Sequence, residues 1–459
     1  MTITLPKGKE RRRQPVYREI ADAIAREIRA GRLKPGQRLP TQRELATQLG
    51  VTLTTVTRAY AEADRRGLVQ GEVGRGTYAR SRDLELQRSA ALEGPIGLGT
   101  NTLLPLEHID ALADQLAACA PRGAATALFE YQSRVTPLRA RAAGAEWLER
   151  LGLHSTPDHV VVTAGGQHAI LVSLLAGTEA GDEVLVEEFA YSGILELCAR
   201  LGRRARAVAM DEQGLDPGAL DAACRDGRPR ALYMMPTLHN PTTVTMPSRR
   251  RHEIVEIVRK YGLFVIEDDV YGYLAPEARP LADDLPPERA VYVTSLAKAI
   301  APGVRVGYVR ASIGLRERLM AASHWTVIDP APVMVELAAR VITGGLADRI
   351  VEWKRSESGA RQEIAARVLA KFRCQTSPMS PHLWLHLPDG WSSDAFVAQA
   401  REGGVLINGA HAFMLDKHAP GKAVRICLGP PRSREVLEQA LSRVAQISDG
   451  AQTPQSMVV

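Results

Sequence analysis

Leu263-Phe264-Val265-Ile266-Glu267-Asp268-Asp269-Val270-Tyr271 places four apolar residues immediately before three carboxylates and then a phenol. A short apolar run of this kind fits a strand buried on both faces, with the polar residues at its carboxyl end. Val291-Tyr292-Val293-Thr294-Ser295-Leu296-Ala297-Lys298 repeats the pattern with a lysine, and Pro302-Gly303-Val304-Arg305-Val306-Gly307 follows. A third strand is expected to end at His239-Asn240-Pro241-Thr242. A fourth, Val160-Val161-Val162-Thr163, runs into Ala164-Gly165-Gly166-Gln167 and a helix. Outward from these, 183–186, 205–209, 231–234 and 305–309 read as further strands, with 167–175 and 193–202 as helices between them. Such alternation implies an α/β fold with a mostly parallel sheet covered on both faces. Ligands bind beyond the carboxyl ends of these strands, where the lysine, carboxylates, phenol and amide fall.

That set of groups meets the needs of pyridoxal 5'-phosphate. A lysine supplies the amine that condenses with its aldehyde. A carboxylate opposite the pyridine nitrogen keeps the ring protonated and electron-withdrawing. A phenol and an amide donate to the ring hydroxylate, while hydroxyls, an arginine and a helix N-terminus hold the phosphate. Any one of these groups alone is ordinary, a strand-end lysine most of all. Their coincidence carries the inference. No G-x-G-x-x-G follows a strand, which disfavours a dinucleotide site.

The amino-terminal end differs in character. Residues 1–82 hold 18 Lys+Arg against 8 Asp+Glu, a net +10, whereas the rest of the 459-residue chain holds 40 against 44. This split suggests a nucleic-acid-facing module on a near-neutral body. Ile20, Ile24 and Ile28 recur every fourth residue and predict a helix over 16–30, stopped by Gly31. Thr41-Gln42-Arg43-Glu44 is a capping-box pattern for a second helix, 42–49. Gly50 ends it, and Thr52 caps a third over 53–66. Residues 68–70 and 77–79 flank a glycine-rich turn and read as a hairpin. Three helices and a hairpin follow the order of a winged helix-turn-helix. Thr52, Thr54, Thr55 and Arg58 gather at the start of the third helix, Arg38 and Arg43 near the start of the second, and Arg75 at the hairpin tip. From those places such a module reaches the phosphates and base edges of double-stranded DNA.

Composition excludes other classes. At 45% apolar and 24% charged residues, the chain reads as globular with sizeable cores. No apolar run approaches ~20 residues, so no membrane span is expected. MTITLPKGKERRRQPVYREI lacks the apolar stretch of a secretory signal. Five scattered cysteines without a C-x-x-C argue against a disulfide framework and a zinc ribbon. No metal is expected, and the cysteine usage suits a reducing cytoplasm.

Residues 15–79, with GRLKPGQRLPTQRELATQLGVTLTTVTRAYAEADRRGLV and GRGTYA, resemble the GntR-type DNA-binding domain along its whole length. That resemblance implies that Arg38, Thr41, Arg43, Thr52, Thr55, Arg58 and Gly76 lie at or near the DNA. From IGLGTN to AVRICLGPPRSREVLEQAL, roughly 96–445, the chain resembles a fold-type I aminotransferase. The match implies Lys298 as the Schiff-base lysine, with Ser295 and Arg305 as phosphate ligands in S-x-x-K-x-x-x-P-G-x-R-x-G. It implies Asp268 as the pyridinium partner, Asp269 being the alternative if the register slips by one. Tyr271 and Asn240 match the groups at the ring hydroxyl, Gly166 and Gln167 the phosphate cradle, and Tyr191 the aromatic stacked on the ring. Arg425, in VRICL, matches the clamp on a substrate carboxylate. Gly166 stands where a hydroxyl residue is common, Ala297 where relatives often carry serine, and Phe189 where proline is usual.

Both halves, in this order, resemble the MocR subfamily of GntR regulators. The resemblance implies a winged helix over 14–82, a linker over 83–95, a large cofactor domain over 96–335 and a small carboxyl-terminal domain over 336–450. It implies a homodimer, often head to tail with exchanged DNA modules. It also implies a regulator that senses an amine or amino acid, or the cofactor itself. The expected switch is displacement of Lys298 by an effector amine, capture of its carboxylate by Arg425, and a shift of the small domain. An active aminotransferase carrying a fused DNA module is the alternative, and a sensor of pyridoxal phosphate without an amine substrate is a third reading.

Overall fold

The computed structural model describes residues 15–29, 32–33, 37–65, 68–72, 76–79, 94–104, 106–120, 126–130 and 136–450; Arg75 lies outside them. The chain divides into two units, Met1–Gly94 and Pro95–Val459.

In the first unit, α1 (Val16–Arg29), α2 (Gln42–Leu49) and α3 (Leu53–Arg65) precede strands β1 (Val69–Glu72) and β2 (Gly76–Ala79). The four-residue recurrence buries Ile20 and Ile24 in one core with Leu33, Leu45 and Val56. The capping box forms: Thr41 N donates to Glu44 Oε2 at 2.8 Å and Glu44 N to Thr41 Oγ1 at 3.3 Å. Residues 37–39 add a rung to the hairpin, because Leu39 N donates to Thr77 O and Ala79 N to Gln37 O. This rung sets Arg38 against Gly76. With φ at +119° and only 2.7 Å between an added Cβ and Arg38 Nε, that position requires glycine.

The second unit is built on a seven-stranded sheet. Its strands are β3 (Val160–Thr163), β4 (Glu183–Glu187), β5 (Arg204–Val208), β6 (Ala231–Met234), β7 (Phe264–Asp268), β8 (Ala290–Ser295) and β9 (Gly307–Arg310). Their order is β3-β9-β8-β7-β6-β4-β5, parallel except that β9 runs antiparallel to both neighbours. Central strands β6, β7 and β8 are buried at every residue, as their apolar runs predict. Helix α4 (Gly166–Gly177) is apolar around most of its circumference and packs on β8 and β9.

A smaller antiparallel sheet contains β10 (His382–His386) and β11 (Ala423–Cys427). The cores do not part where the sequence expectation divides the body. The larger core continues through Val351, so a boundary at 335/336 falls inside it. The smaller core joins Leu98 to residues from Ala365 to Val444, and Ile96–Gly97 pairs with Val405–Leu406. One continuous helix, α7 (Leu346–Val368), contributes to both cores.

Candidate cofactor site and nucleic-acid interface

The carboxyl ends of β3, β7 and β8 open on a cavity of about 350 Å³. Gly166, Gln167, Tyr191, Asn240, Asp268, Tyr271, Ser295, Lys298, Arg305 and Arg425 all line it. Residues spread over 260 positions of sequence are thus brought to one place. Asn240 arrives by a different path from the one expected: β6 stops at Met234, and the following loop carries Asn240 in.

Alternation along β7 separates its carboxylates. Asp268 lines the cavity, while its neighbours bond elsewhere. Glu267 accepts from Leu281 N and Ala282 N, and Asp269 Oδ2 from Tyr292 Oη at 2.7 Å. Asp268 Oδ2 accepts from Tyr233 Oη at 2.6 Å, which leaves its Oδ1 buried without a partner among the described residues. Burial pushes the Asp268 carboxyl up to about 7, against the hydrogen bond from Tyr233 and the charge of Lys298.

Ser295 caps the short helix α6 (Leu296–Ala299), which carries Lys298. Lys298 Nζ donates to Asn101 O at 2.5 Å. Burial holds this amine below its ordinary value. Asn101 Nδ2 donates to Tyr271 Oη and to His382 Nδ1, each at 2.8 Å, so the phenol keeps its own proton to give. His382 is fully buried, and burial pushes its imidazole well down, toward the neutral form that accepts this bond. Arg425 Nη1 donates to Asn240 Oδ1 at 2.7 Å, its Nη2 to Gly99 O, and its guanidinium lies 4.7 Å over the Phe413 ring.

The turn between β3 and α4 forms a cradle. Gly165, at φ +90°, would set a Cβ 2.7 Å from the Arg305 guanidinium, and a Cβ at Gly166 would lie 3.3 Å from that of Ser295. Free backbone N–H groups at the start of α4 therefore stand beside an arginine and a serine, the donor set of a phosphate site. The cradle and the bare Asp268 Oδ1 suit a molecule with a phosphate at one end and a protonated ring nitrogen at the other.

Residues 93–444 match the family model for class I and II aminotransferases, and residues 16–79 match that for bacterial regulatory proteins of the gntR family. Across 443 residues the chain is 30% identical to the HTH-type transcriptional regulator YdeF of Bacillus subtilis, covering 95% of each. The chain belongs to the MocR-type GntR regulators. This MocR-type chain is also 28% identical over 448 residues to the vitamin B6 salvage pathway transcriptional repressor PtsJ of Salmonella typhimurium, covering 93% of this chain and 98% of that one. Its fold matches LysN, the α-aminoadipate aminotransferase of Thermus thermophilus, with a TM-score of 0.71 at 23% identity, over 85% of this chain and 98% of that one. Pyridoxal 5'-phosphate is the cofactor of this aminotransferase family, and the cavity of the MocR-type chain fits it.

In the first unit of the MocR-type chain, Arg38, Arg43, Thr52, Thr54 and Arg58 are exposed, and Thr55 is half-buried. Thr52 Oγ1 accepts from Thr55 N at 3.3 Å and meets Thr55 Oγ1 at 2.8 Å, so this pair caps α3. Thr41 is occupied in the capping box. Thr57 Oγ1 donates to Gln42 Oε1 at 2.7 Å and fixes α3 to the start of α2.

Sequence reasoning did not find Asn101, Tyr233, His382 or Phe413. Asn101 and His382 are 281 positions apart, and Tyr233 sits in a strand whose buried pattern reads as plain core.

Proposed function

We propose that the MocR-type chain binds operator DNA through its first unit and senses an amine or amino acid through pyridoxal 5'-phosphate held in its second. When bound, the cofactor supplies an aldehyde that condenses with a primary amine and a ring that withdraws electrons from it. Lys298 presents the resident amine, and burial favours its neutral, nucleophilic form. Asp268 Oδ1 accepts the ring N–H, and Tyr191 covers the ring face. Tyr271 and the Asn240 amide donate to the ring hydroxylate. Backbone N–H groups of Gly166 and Gln167, the Ser295 hydroxyl and Arg305 hold the phosphate. An effector carboxylate takes Arg425 bidentately, in place of Asn240 and the Gly99 carbonyl.

One observation carries this reading: Lys298 and Arg425 line the same cavity, one from the short helix that follows β8 in the larger core and the other from strand β11 of the smaller sheet. An amine bearing a carboxylate that occupies both sites binds best to one relative arrangement of the cores. That differential affinity is what an effector needs to shift a conformational equilibrium. The residues assigned to DNA contact are Arg38, Thr41, Arg43, Thr52, Thr54, Thr55, Arg58 and Gly76, together with Arg75, which lies outside the described residues.

A homodimer is part of the proposal. Phe129 and Trp325 are each 84% exposed, and Leu138 and Ile313 are also exposed, large apolar side chains of the kind a second copy would cover. No described helix is long and apolar enough to cross a membrane, and we assign the chain to the cytoplasm, where its DNA lies.

The test loads the purified protein with pyridoxal phosphate and adds single amino acids and 2-oxo acids. Cofactor absorbance is followed alongside binding to duplexes selected from a random pool. One amine should change both signals together. Steady conversion of amino acid to oxo acid, with no effect of any amine on DNA binding, would instead establish the aminotransferase alternative.

A further inference from the structure

Lys354, on α7, is fully buried. Its Nζ donates to the backbone carbonyl of Lys298 at 2.6 Å, and Tyr273 Oη donates to the same oxygen at 3.0 Å. Among the described residues, no carboxylate oxygen lies within 4.0 Å of that nitrogen. Glu357, one turn along the helix, is taken by Arg361 and Arg434. Burial, helped by the like charge of Lys298, pushes the Lys354 amine down to about 7. A buried cation without a counter-ion opposes folding, whereas a methionine would fill the same space. Core packing alone therefore does not account for a lysine here.

We propose that Lys354 is a positioning residue for Lys298: it clamps the Lys298 carbonyl and sets its own charge against the nitrogen that Lys298 presents to the cavity. The proposal rests on the cofactor reading above. The clamp fixes α6, four residues long, from which the Lys298 side chain must reach the cofactor aldehyde. Below about 7, where Lys354 is protonated, its charge disfavours a proton on the nitrogen that Lys298 carries. Lys298 is also faced by Asp268, Cys427, Arg425 and Arg305, and every variant below retains these groups.

The experiment titrates the proton-dependent visible band of the pyridoxal phosphate-loaded full chain and measures cofactor affinity by equilibrium dialysis. Lys354→Met removes clamp and charge: the midpoint should rise by about one pH unit, a tenfold gain in proton affinity, and cofactor affinity should fall about tenfold. Lys354→Gln keeps a donor without charge, so the midpoint should rise by a similar amount with affinity nearly unchanged. Folding is checked by thermal melting and DNA binding. Tyr273→Phe leaves Lys354 in place and serves even if both Lys354 variants fail to fold. It should weaken cofactor affinity about threefold without moving the midpoint. A folded Lys354→Met chain with the wild-type midpoint overturns the proposal, as does Tyr273→Phe with a moved midpoint or unchanged affinity. Failure of the underlying cofactor reading looks different: the unaltered chain would then show no such band at all.

Discussion

Tyr233 Oη donates to Asp268 Oδ2 at 2.6 Å, and the other carboxylate oxygen, Oδ1, is left buried at the cavity and unpartnered among the described residues. The tyrosine thus occupies one oxygen, holds the carboxylate plane, and reserves the second oxygen for a ligand donor. A hydrogen bond to a charged group contributes about 1.5–3 kcal/mol. Tyr233→Phe keeps the packing of a fully buried ring and removes only this donor. Pyridoxal phosphate affinity should fall roughly tenfold by equilibrium dialysis, and the cofactor-free chain should lose about 1.5–3 kcal/mol of stability with the same hydrogen bond. Unaltered affinity would refute this division of labour between the two oxygens.

Asp268 also predicts a pH dependence in the cofactor-free chain. Its carboxyl is pushed from 3.8 up to about 7 by burial. The folded state therefore binds this proton more tightly than the unfolded state does. Its stabilising contribution is complete below about 4 and is lost as pH rises through about 7, at up to about 1.4 kcal/mol per pH unit. Glu267, on the opposite face of β7, is likewise pushed up to about 7. Asp268→Asn should thus reduce, without abolishing, the drop in melting temperature between pH 5 and pH 8. Parallel melting curves for variant and parent across that range would contradict the assignment.

Two glycines separate backbone strain from an effect on the cavity. Gly165 (φ +90°) and Gly181 (φ +88°) share a positive φ unfavourable to other residues, so alanine at either should destabilise the chain by about 1–3 kcal/mol. Only at Gly165 does the new Cβ meet Arg305, at 2.7 Å; at Gly181 nothing lies within 4 Å. Gly165→Ala should therefore weaken pyridoxal phosphate binding at least tenfold, whereas Gly181→Ala leaves it intact. Equal losses in a fluorescence titration of the two variants would remove Arg305 and this turn from the phosphate site.

These cases show which features were legible in the sequence. Strand ends of the large sheet could be read because buried parallel strands are apolar throughout, so each polar residue that follows marks a carboxyl end. The second helix could be read because its capping box is local. Asp268 and Asp269 could not be told apart from the order of residues, since they point to opposite faces of one strand and only the packing of Tyr233 and Tyr292 on flanking strands distinguishes those faces. Asn101, His382 and Lys354 left no local trace, because each acts through a backbone or side-chain atom more than fifty positions away.

The DNA module yields a prediction in which phosphate contact and folding separate. Arg58 is exposed on α3, and it has no ion pair or hydrogen bond among the described residues that its removal would break. Arg58→Ala should therefore leave melting unchanged and weaken duplex binding. If Arg58 meets a phosphate, the slope of log affinity against log salt should shrink by about 0.9, uniformly across sequences. Thr41→Ala should differ. Thr41 closes the capping box with Glu44, so its loss should destabilise the first unit by about 1 kcal/mol as well as weaken DNA binding. Salt-dependent binding isotherms and thermal melts of both variants decide the matter. An Arg58→Ala chain with the parent's salt slope and affinity would remove that residue from the interface.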